Sequence, residues 1–154
     1  MTLVQQLLDA WGQLSGTAEG RALFDERLGQ AVPYTGTIEP HVLELSPGQA
    51  LVAMDDIPTV RNHLNSIHAV AMMNLGEVSS GLALLSGLPS DARAILVGLN
   101  IEYHKKARGR ITARSQCEPL SSNGQARLSV AAELTDDAGD AVASVTAQWA
   151  VGPA

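Results

Sequence analysis

The sequence predicts one α+β domain in which an antiparallel sheet wraps a long, buried central helix. Residues 64–85 are apolar at every third or fourth position, and short turns separate most of the strand candidates. The 154 residues suffice for one hydrophobic core and are too few for two ordinary domains. Short turns pair strands antiparallel, and a helix this apolar has to be covered by the sheet.

Two helices are predicted ahead of that core. Apolar residues recur at helical spacing over 3–14, and a second helical stretch over 18–31 ends before Pro33. Residues 1–33 are therefore assigned to N-terminal helices and residues 35–151 to the core of a single domain.

The core pattern begins with a hairpin around the Ser46-Pro47-Gly48 turn, which lies between two apolar runs. The central helix follows. Strict alternation from Ile95 to Tyr103 predicts a long strand with one face inward. Three further strands are predicted, at Arg110 to Cys117, Gln125 to Thr135 and Ala141 to Val151.

Composition limits the partners that we expect. The net charge of −6 and an aromatic content of 3% argue against a nucleic-acid binder. No segment reads as a secretion signal or approaches the roughly 20 apolar residues of a membrane span, so we expect a cytoplasmic protein without a membrane partner. Cys117 is alone and reads as a small core residue, and His63 and His68 lack nearby carboxylates or thiolates, so no metal site is predicted.

The most informative segment spans residues 61–77, where Asn62, His68 and Glu77 stand at a distinctive spacing. This pattern resembles the hotdog-fold thioesterase superfamily of the phenylacetyl-CoA and human thioesterase type. In that family an Asn, a His-Gly-Gly six residues later and an acidic residue on the following helix form the site. The stretch Asn100-Ile101-Glu102-Tyr103 is similar to the strand that follows the family's central helix.

Three positions depart from the family pattern. Ala69 and Val70 stand where the family usually has two glycines, and Asn65 replaces another common glycine. The chain is therefore identified as a divergent branch. The resemblance implies a hotdog fold and hydrolysis of an acyl-CoA or acyl-carrier-protein thioester.

Thioester hydrolysis needs a donor for the developing oxyanion and a carboxylate that attacks the carbonyl carbon or activates water. The backbone N–H of Ala69, after a Ser66 or Asn65 cap at the start of the central helix, is the predicted donor. Glu77 is the predicted nucleophile or general base, and Asn62 is expected to hold the thioester or the water. His68 is expected to assist the Ala69 amide in polarising the carbonyl oxygen.

Helix geometry then predicts an oligomer. Ala69 and Glu77 are eight residues apart, so about 12 Å separates them along one helix, which is too far to share a carbonyl carbon. We expect a homodimer, or a dimer of dimers, with antiparallel central helices that bring Glu77 of one chain to the helix start of the other. A stripe of small residues on the helix is expected to allow this approach: Ala69, Gly76, Ser80, Ala83 and Gly87.

The predicted substrate contacts fall into two groups. Met72, Met73 and Leu99 are expected to line an apolar acyl pocket, because Met adapts to irregular shapes. The cations Lys105, Lys106 and Arg108 either meet the phosphates of coenzyme A or belong to a solvated hairpin turn. Coenzyme A is then part of the substrate, and no cofactor is expected.

Two other functions stay open. A non-enzymatic acyl-binding module is compatible with the missing glycines at positions 69 and 70. A hydratase or dehydratase using His68 and Glu77 is disfavoured, because nine residues place the two side chains about half a turn apart on one helix. Each site residue also has a structural reading: Glu77 as an exposed charge, Asn62 as a turn residue and His68 as a structural residue at the helix start.

Overall fold

A computed structural model describes all residues 1–154 and shows a six-stranded sheet around one long helix. The helices are α1 (Leu3–Leu14), α2 (Ala18–Ala31), α3 (Pro33–Gly36) and α4 (Ala69–Ser86), with a short 3-10 helix at Pro58–Val60. The strands are β1 (His41–Ser46), β2 (Gln49–Met54), β3 (Ala92–Tyr103), β4 (Ile111–Gln116), β5 (Ala126–Thr135) and β6 (Ala141–Pro153).

The sheet has the order β1-β2-β4-β5-β6-β3, and every neighbouring pair is antiparallel. This confirms the predicted antiparallel sheet around a central helix. Strands β1 and β3 form the two edges. Since β3 pairs only with β6, the other side of its backbone is left without a partner strand.

Helix α4 packs its small residues against its own sheet. Gly76 lies so close to Val145 of β6 that an added Cβ would be inside van der Waals contact, and Ser80 and Ala83 are fully buried. The expectation that this stripe allows a second helix to approach is therefore wrong for Gly76, Ser80 and Ala83, because the protein's own sheet already covers them. The side of α4 that stays open carries Val70, Met73 and Glu77.

The central helix begins at Ala69, five residues later than predicted. The side-chain Oδ1 of Asn62 accepts hydrogen bonds from the N–H groups of Leu64 (2.9 Å) and Ser66 (3.1 Å), and this turn competes with a helix. Within the turn Asn65 has φ 57°, a left-handed conformation that favours glycine and that Asn tolerates best among other residues.

Strand β3 breaks the predicted alternation at a bulge between Leu96 and Gly98. One extra residue moves side chains to the opposite face of a strand. Ile95 and Val97 therefore point outward, 58% and 47% exposed, whereas Leu99 and Ile101 pack against the core. The prediction of one continuous inward face was wrong for the first half of the strand.

The N-terminal helices form as predicted, and they share the core of the sheet. Trp11 of α1 packs edge-on against Phe24 of α2, with ring centroids 5.0 Å apart. Phe24 and Leu28 belong to the same buried cluster as Leu75 of α4. Pro33 was predicted only to end α2, and it also occupies the first position of the short helix α3, where proline is favoured.

Helix α4 is, by length and composition alone, able to cross a membrane, contrary to the expectation that no segment comes near that limit. Its 18 residues are 61% buried inside the protein. The core helix of a protein in water passes the same test, and the sheet around α4 covers most of it.

Candidate active site

The start of α4 presents an unused backbone donor. His68 caps the helix, because its Nδ1 accepts a hydrogen bond from the N–H of Val70 at 3.0 Å. The predicted cap at Ser66 or Asn65 is therefore wrong. The N–H of Ala69, the first helical residue, has no acceptor in the chain, as helix geometry dictates for this position. Ala69 is exposed, and the positive end of the helix dipole adds to its capacity to hold an anionic oxygen.

A cavity of about 310 Å³ lies beside this amide, and we call it the Ala69 cavity. It brings together five of the ten predicted site residues, namely Asn62, Ala69, Met72, Lys105 and Lys106. The remaining lining residues are Leu64, Ser66, Ile67, Tyr103, His104 and Ala107. The structure thus joins the turn before α4, the first turn of α4 and the loop after β3 at one place.

The side chain of Asn62 has one group that holds the turn and one that is free to bind a ligand. Its Oδ1 is committed to the turn, because both of its partners are backbone N–H donors. The Nδ2 group makes no hydrogen bond within the chain and is free to donate toward the cavity. The structural and the functional interpretations of Asn62 are therefore compatible.

Hydrogen bonds join the turn before α4 to the loop before β4 beside the Ala69 cavity. The N–H of Ile67 donates to the carbonyl oxygen of Ala107 at 2.8 Å. Nearby, Asp56 accepts from Arg61 Nε at 2.6 Å and from the N–H of Gly109 at 2.8 Å. The hydrogen bond from Arg61 holds the pKa of Asp56 below its ordinary value. This ionised carboxylate therefore joins the turn before α4 to the loop before β4.

Tyr103 also belongs to the site, where the sequence pattern had predicted no role for it. Its hydroxyl donates to the carbonyl oxygen of Ala69 at 2.8 Å, and burial raises the pKa of this phenol. Ser66 also lines the cavity, and its buried Oγ has no hydrogen-bond partner. The available sequence signal for Tyr103 was an aromatic residue with a polar end at the close of a long strand, which usually finds a hydrogen-bond partner.

The three predicted phosphate-binding cations differ in their surroundings. Lys105 is engaged by two carboxylates, with Nζ 2.8 Å from Asp136 and 2.9 Å from Asp140. Lys106 lines the Ala69 cavity and forms no ion pair. Arg108 is exposed, forms no ion pair and lies outside the cavity. Lys106 is therefore the cation of this group that is free beside the cavity.

Glu77 lies two turns further along α4 and outside the Ala69 cavity. It is half-buried, its carboxylate has no hydrogen bond or ion pair within the chain, and burial raises its pKa above the ordinary value. An isolated carboxylate in such surroundings is a stronger base than one in water. Met73 is on the same open side of the helix, whereas Leu99 packs into the core.

His68 borders a separate cavity of about 330 Å³ on another side of the helix start. Tyr34, Thr37 and Ile38 from the N-terminal segment form one wall of it, and Asn74 donates from Nδ2 to the carbonyl oxygen of Tyr34 at 3.2 Å. The structure therefore does not bring His68 into the Ala69 cavity with Asn62. No group of three or more His, Cys, Asp or Glu side chains is placed to hold a metal ion.

Comparison with solved structures identifies the fold. The crystal structure of a genomics protein, APC5556, is similar over 99% of this chain and 100% of its own length, with 27% identity and a TM-score of 0.85. The structure of a Pseudomonas aeruginosa protein of unknown function, described as a probable thioesterase, is similar over 82% of this chain and 91% of its own length, with 20% identity and a TM-score of 0.74. The structure of a mutant of the phenylacetic acid degradation protein PaaI from Thermus thermophilus is similar over 77% of this chain and 97% of its own length, with 21% identity and a TM-score of 0.64.

The chain has the hotdog fold of these solved structures, which confirms the predicted fold class. The thioesterase and PaaI descriptions of the neighbours agree with the predicted resemblance. Residues 20–151 match the family model described as Domain of unknown function (DUF4442), and the chain belongs to that family. No curated protein matches the chain. The match to this family agrees with a divergent branch of the superfamily.

Proposed function

We propose that the protein hydrolyses an acyl thioester of coenzyme A or of acyl carrier protein, as a homodimer whose active sites each use both chains. The observation that carries this proposal is the unpartnered N–H of Ala69 beside a cavity, on the same helix as the unpartnered, half-buried carboxylate of Glu77. A donor for the oxyanion and a carboxylate base are the two groups that the reaction needs.

The two groups meet only across a subunit interface. Eight residues of α4 separate them by about 12 Å within one chain. An antiparallel two-fold pair of α4 helices would place the partner's Glu77 near Ala69. Two features support such a pair: the uncovered side of α4 carries Val70 and Met73, and the unpaired edge strand β3 exposes Val97. An apolar sheet edge with free backbone groups is suited to pairing with another copy.

In this dimer the thioester carbonyl oxygen accepts hydrogen bonds from the Ala69 N–H and from Asn62 Nδ2. The carboxylate of the partner's Glu77 removes a proton from water, the water oxygen adds to the carbonyl carbon, and the negative charge moves to the carbonyl oxygen. The C–S bond then breaks and the thiolate leaves. Direct attack by the carboxylate, through an acyl anhydride that water then opens, uses the same geometry.

The structure also supports a position for the substrate. Asn62 and Tyr103 give the Ala69 cavity polar side chains that suit the amide-containing pantetheine arm, and Lys106 stands free at its side for a phosphate. The phenylacetic acid degradation function of the similar PaaI protein makes an aryl acetyl group one candidate acyl group.

The test is release of free thiol from a panel of acyl-CoAs, from acetyl to long-chain and phenylacetyl, by the native protein and two variants. Glu77→Gln keeps the shape of the side chain and removes the base, so we expect a loss of at least about 100-fold. Glu118→Gln, at an exposed carboxylate outside the site, is the matched control and is expected to keep full activity. Acyl-CoA binding without any turnover by the native protein would instead support an acyl-binding module, and hydration of an enoyl-CoA would support a hydratase.

The shared active site has its own test. Asn62→Asp retains the Oδ1 that holds the turn and removes the Nδ2 donor. If each site combines Asn62 of one chain with Glu77 of the other, mixing inactive Asn62→Asp and Glu77→Gln subunits restores about a quarter of native activity, because half of the dimers are mixed and each has one intact site. No recovery after subunit exchange would rule out the shared site.

A further inference from the structure

A third cleft, far from the Ala69 cavity within one chain, lies on the outer face of the sheet and has a volume of about 490 Å³. Arg93, near the start of β3, and Arg127, near the start of β5, stand on its two sides. The other lining residues are Ile95, Gln125, Ala126, Ala150, Val151, Gly152 and Pro153. Ten residues of β3, or about 33 Å, separate Arg93 from Tyr103 and the Ala69 cavity within one chain.

Strand register places both arginines over a floor of small residues. On the two sides of β6, Arg127 and Ile95 are both opposite Ala150, and Arg93 is opposite Gly152. Residues directly opposite each other in an antiparallel pair point to the same face of the sheet. Ala150 and Gly152 are two residues apart in β6 and also share a face, so both arginines lie on that face. The two arginine Cα atoms are therefore about 12 Å apart, diagonally across two strand spacings and two residues. A ligand over Ala150 and Gly152 is within reach of both guanidinium groups.

The charges around the cleft are unusual for this chain. Neither Arg93 nor Arg127 takes part in an ion pair, whereas Arg61, Arg110 and Arg114 are each paired with a carboxylate. No Asp or Glu lines the cleft, although the protein has 16 acidic residues and a net charge of −6. The cleft thus concentrates positive charge on an acidic protein and offers up to ten unused N–H donors.

We propose that this cleft binds a ligand bearing a phosphate ester or a diphosphate. A guanidinium group donates two parallel hydrogen bonds to a phosphate, and two such groups match the larger spread of a diphosphate. Ile95, 58% exposed at the edge of the cleft, provides an apolar contact for the organic part of the ligand. The same chemistry is found in a free nucleotide and in a phospholipid headgroup.

The experiment measures binding to the intact protein by titration calorimetry with inorganic pyrophosphate and ADP. Sedimentation with phosphatidylglycerol vesicles, and with phosphatidylcholine vesicles for comparison, tests the headgroup. We expect Arg93→Ala and Arg127→Ala each to weaken binding about tenfold, and binding to weaken further as salt is raised. Ala150→Glu places a carboxylate between the arginines and is expected to abolish binding without removing either of them. Arg27→Ala, at an exposed and unpaired arginine on α2, is the matched control and is expected to bind like the native protein.

Binding of ADP or pyrophosphate alone assigns the cleft to a soluble phosphate, and binding of phosphatidylglycerol vesicles alone assigns it to a headgroup. Both results support the proposal when the cleft variants lose the binding. The proposal is overturned if no probe binds, if the cleft variants bind like the native protein while circular dichroism shows them folded, or if Arg27→Ala loses as much affinity as they do. None of these measurements depends on thioester hydrolysis.

Discussion

The hydroxyl group of Tyr103, the last residue of β3, donates a 2.8 Å hydrogen bond to the carbonyl oxygen of Ala69, the first residue of α4. This bond connects the edge strand of the sheet to the helix turn that carries the free amide. The position of the proposed oxyanion donor therefore depends on a residue that lies 34 positions away in the chain.

Tyr103→Phe removes this bond and leaves the ring in place. We expect thioester hydrolysis to fall by up to about tenfold, which is less than the loss that follows deletion of an oxyanion donor. The bond is partly exposed, so the free energy of unfolding is expected to fall by only about 1 kcal/mol. Steady-state kinetics and urea unfolding on the same preparation separate the two effects. Unchanged kinetics would show that Tyr103 does not position the Ala69 turn.

Glu77 is expected to destabilise the fold when it is ionised. Burial raises its pKa in the folded state above the ordinary value of 4.5, so its contribution favours folding below that pH and is lost as the pH rises through the folded-state pKa. Glu77→Gln mimics the protonated form. The variant should therefore melt at a higher temperature than the native protein at pH 7 to 8, and at the same temperature near pH 4. Thermal unfolding across this range is the measurement, and a variant that is less stable at pH 8 contradicts the interpretation.

Asp25 joins the N-terminal helices to the sheet. Its Oδ1 accepts the N–H of Val42 at 2.9 Å, and its Oδ2 lies 3.1 Å from Nδ1 of His41, whose Nε2 is 2.9 Å from Asp55. Asp25→Ala leaves the buried Val42 amide without an acceptor, and we expect a loss of about 1–3 kcal/mol in the free energy of unfolding. Asp9→Ala, at an exposed carboxylate of α1 with no hydrogen bond, is the control and should change stability little. Equal urea midpoints for the two variants would contradict the proposed link.

Asn65 reports on the turn that precedes the active-site helix. Its φ of 57° is left-handed, and a residue with an ordinary Cβ is strained there by about 1–2 kcal/mol. We expect Asn65→Ala to lower the free energy of unfolding by about 1 kcal/mol and Asn65→Gly to be nearly neutral, because glycine adopts this conformation readily. Chemical denaturation of both variants is the measurement. Destabilisation by glycine equal to that by alanine would show that an Asn65 side-chain contact, and not the backbone, matters.

Several elements could be predicted because their signals are local. Apolar spacing placed α1, α2 and the body of α4, and turn residues separated the last strands. The errors fall where a long-range contact or an inserted residue decided the outcome. The helix start at Ala69 depends on the Asn62 turn and on the hydrogen bond from the N–H of His68 to Val60, and the outward faces of Ile95 and Val97 depend on a bulge.

The candidate site shows the same division. The sequence motif selected Asn62 and Ala69, and both line one cavity. It also selected Lys105, which two carboxylates from the β5–β6 connection already hold, and it gave no role to Tyr103. Ionic and hydrogen-bond partners that are more than 30 residues away leave no periodic signal, so spacing could not reveal them.

The sequence by itself determined that this protein has a buried central helix, an antiparallel sheet and a carboxylate eight residues after Ala69, because periodicity and spacing are properties of neighbouring residues. Only the tertiary structure decided which groups have free hydrogen-bonding capacity. Asn62 Nδ2, the Ala69 amide and the Arg93 and Arg127 side chains are available because the folded chain supplies them with no partner. Whether a polar group keeps free hydrogen-bonding capacity depends on all the elements around it, and these take their places only when the strands and helices pack together.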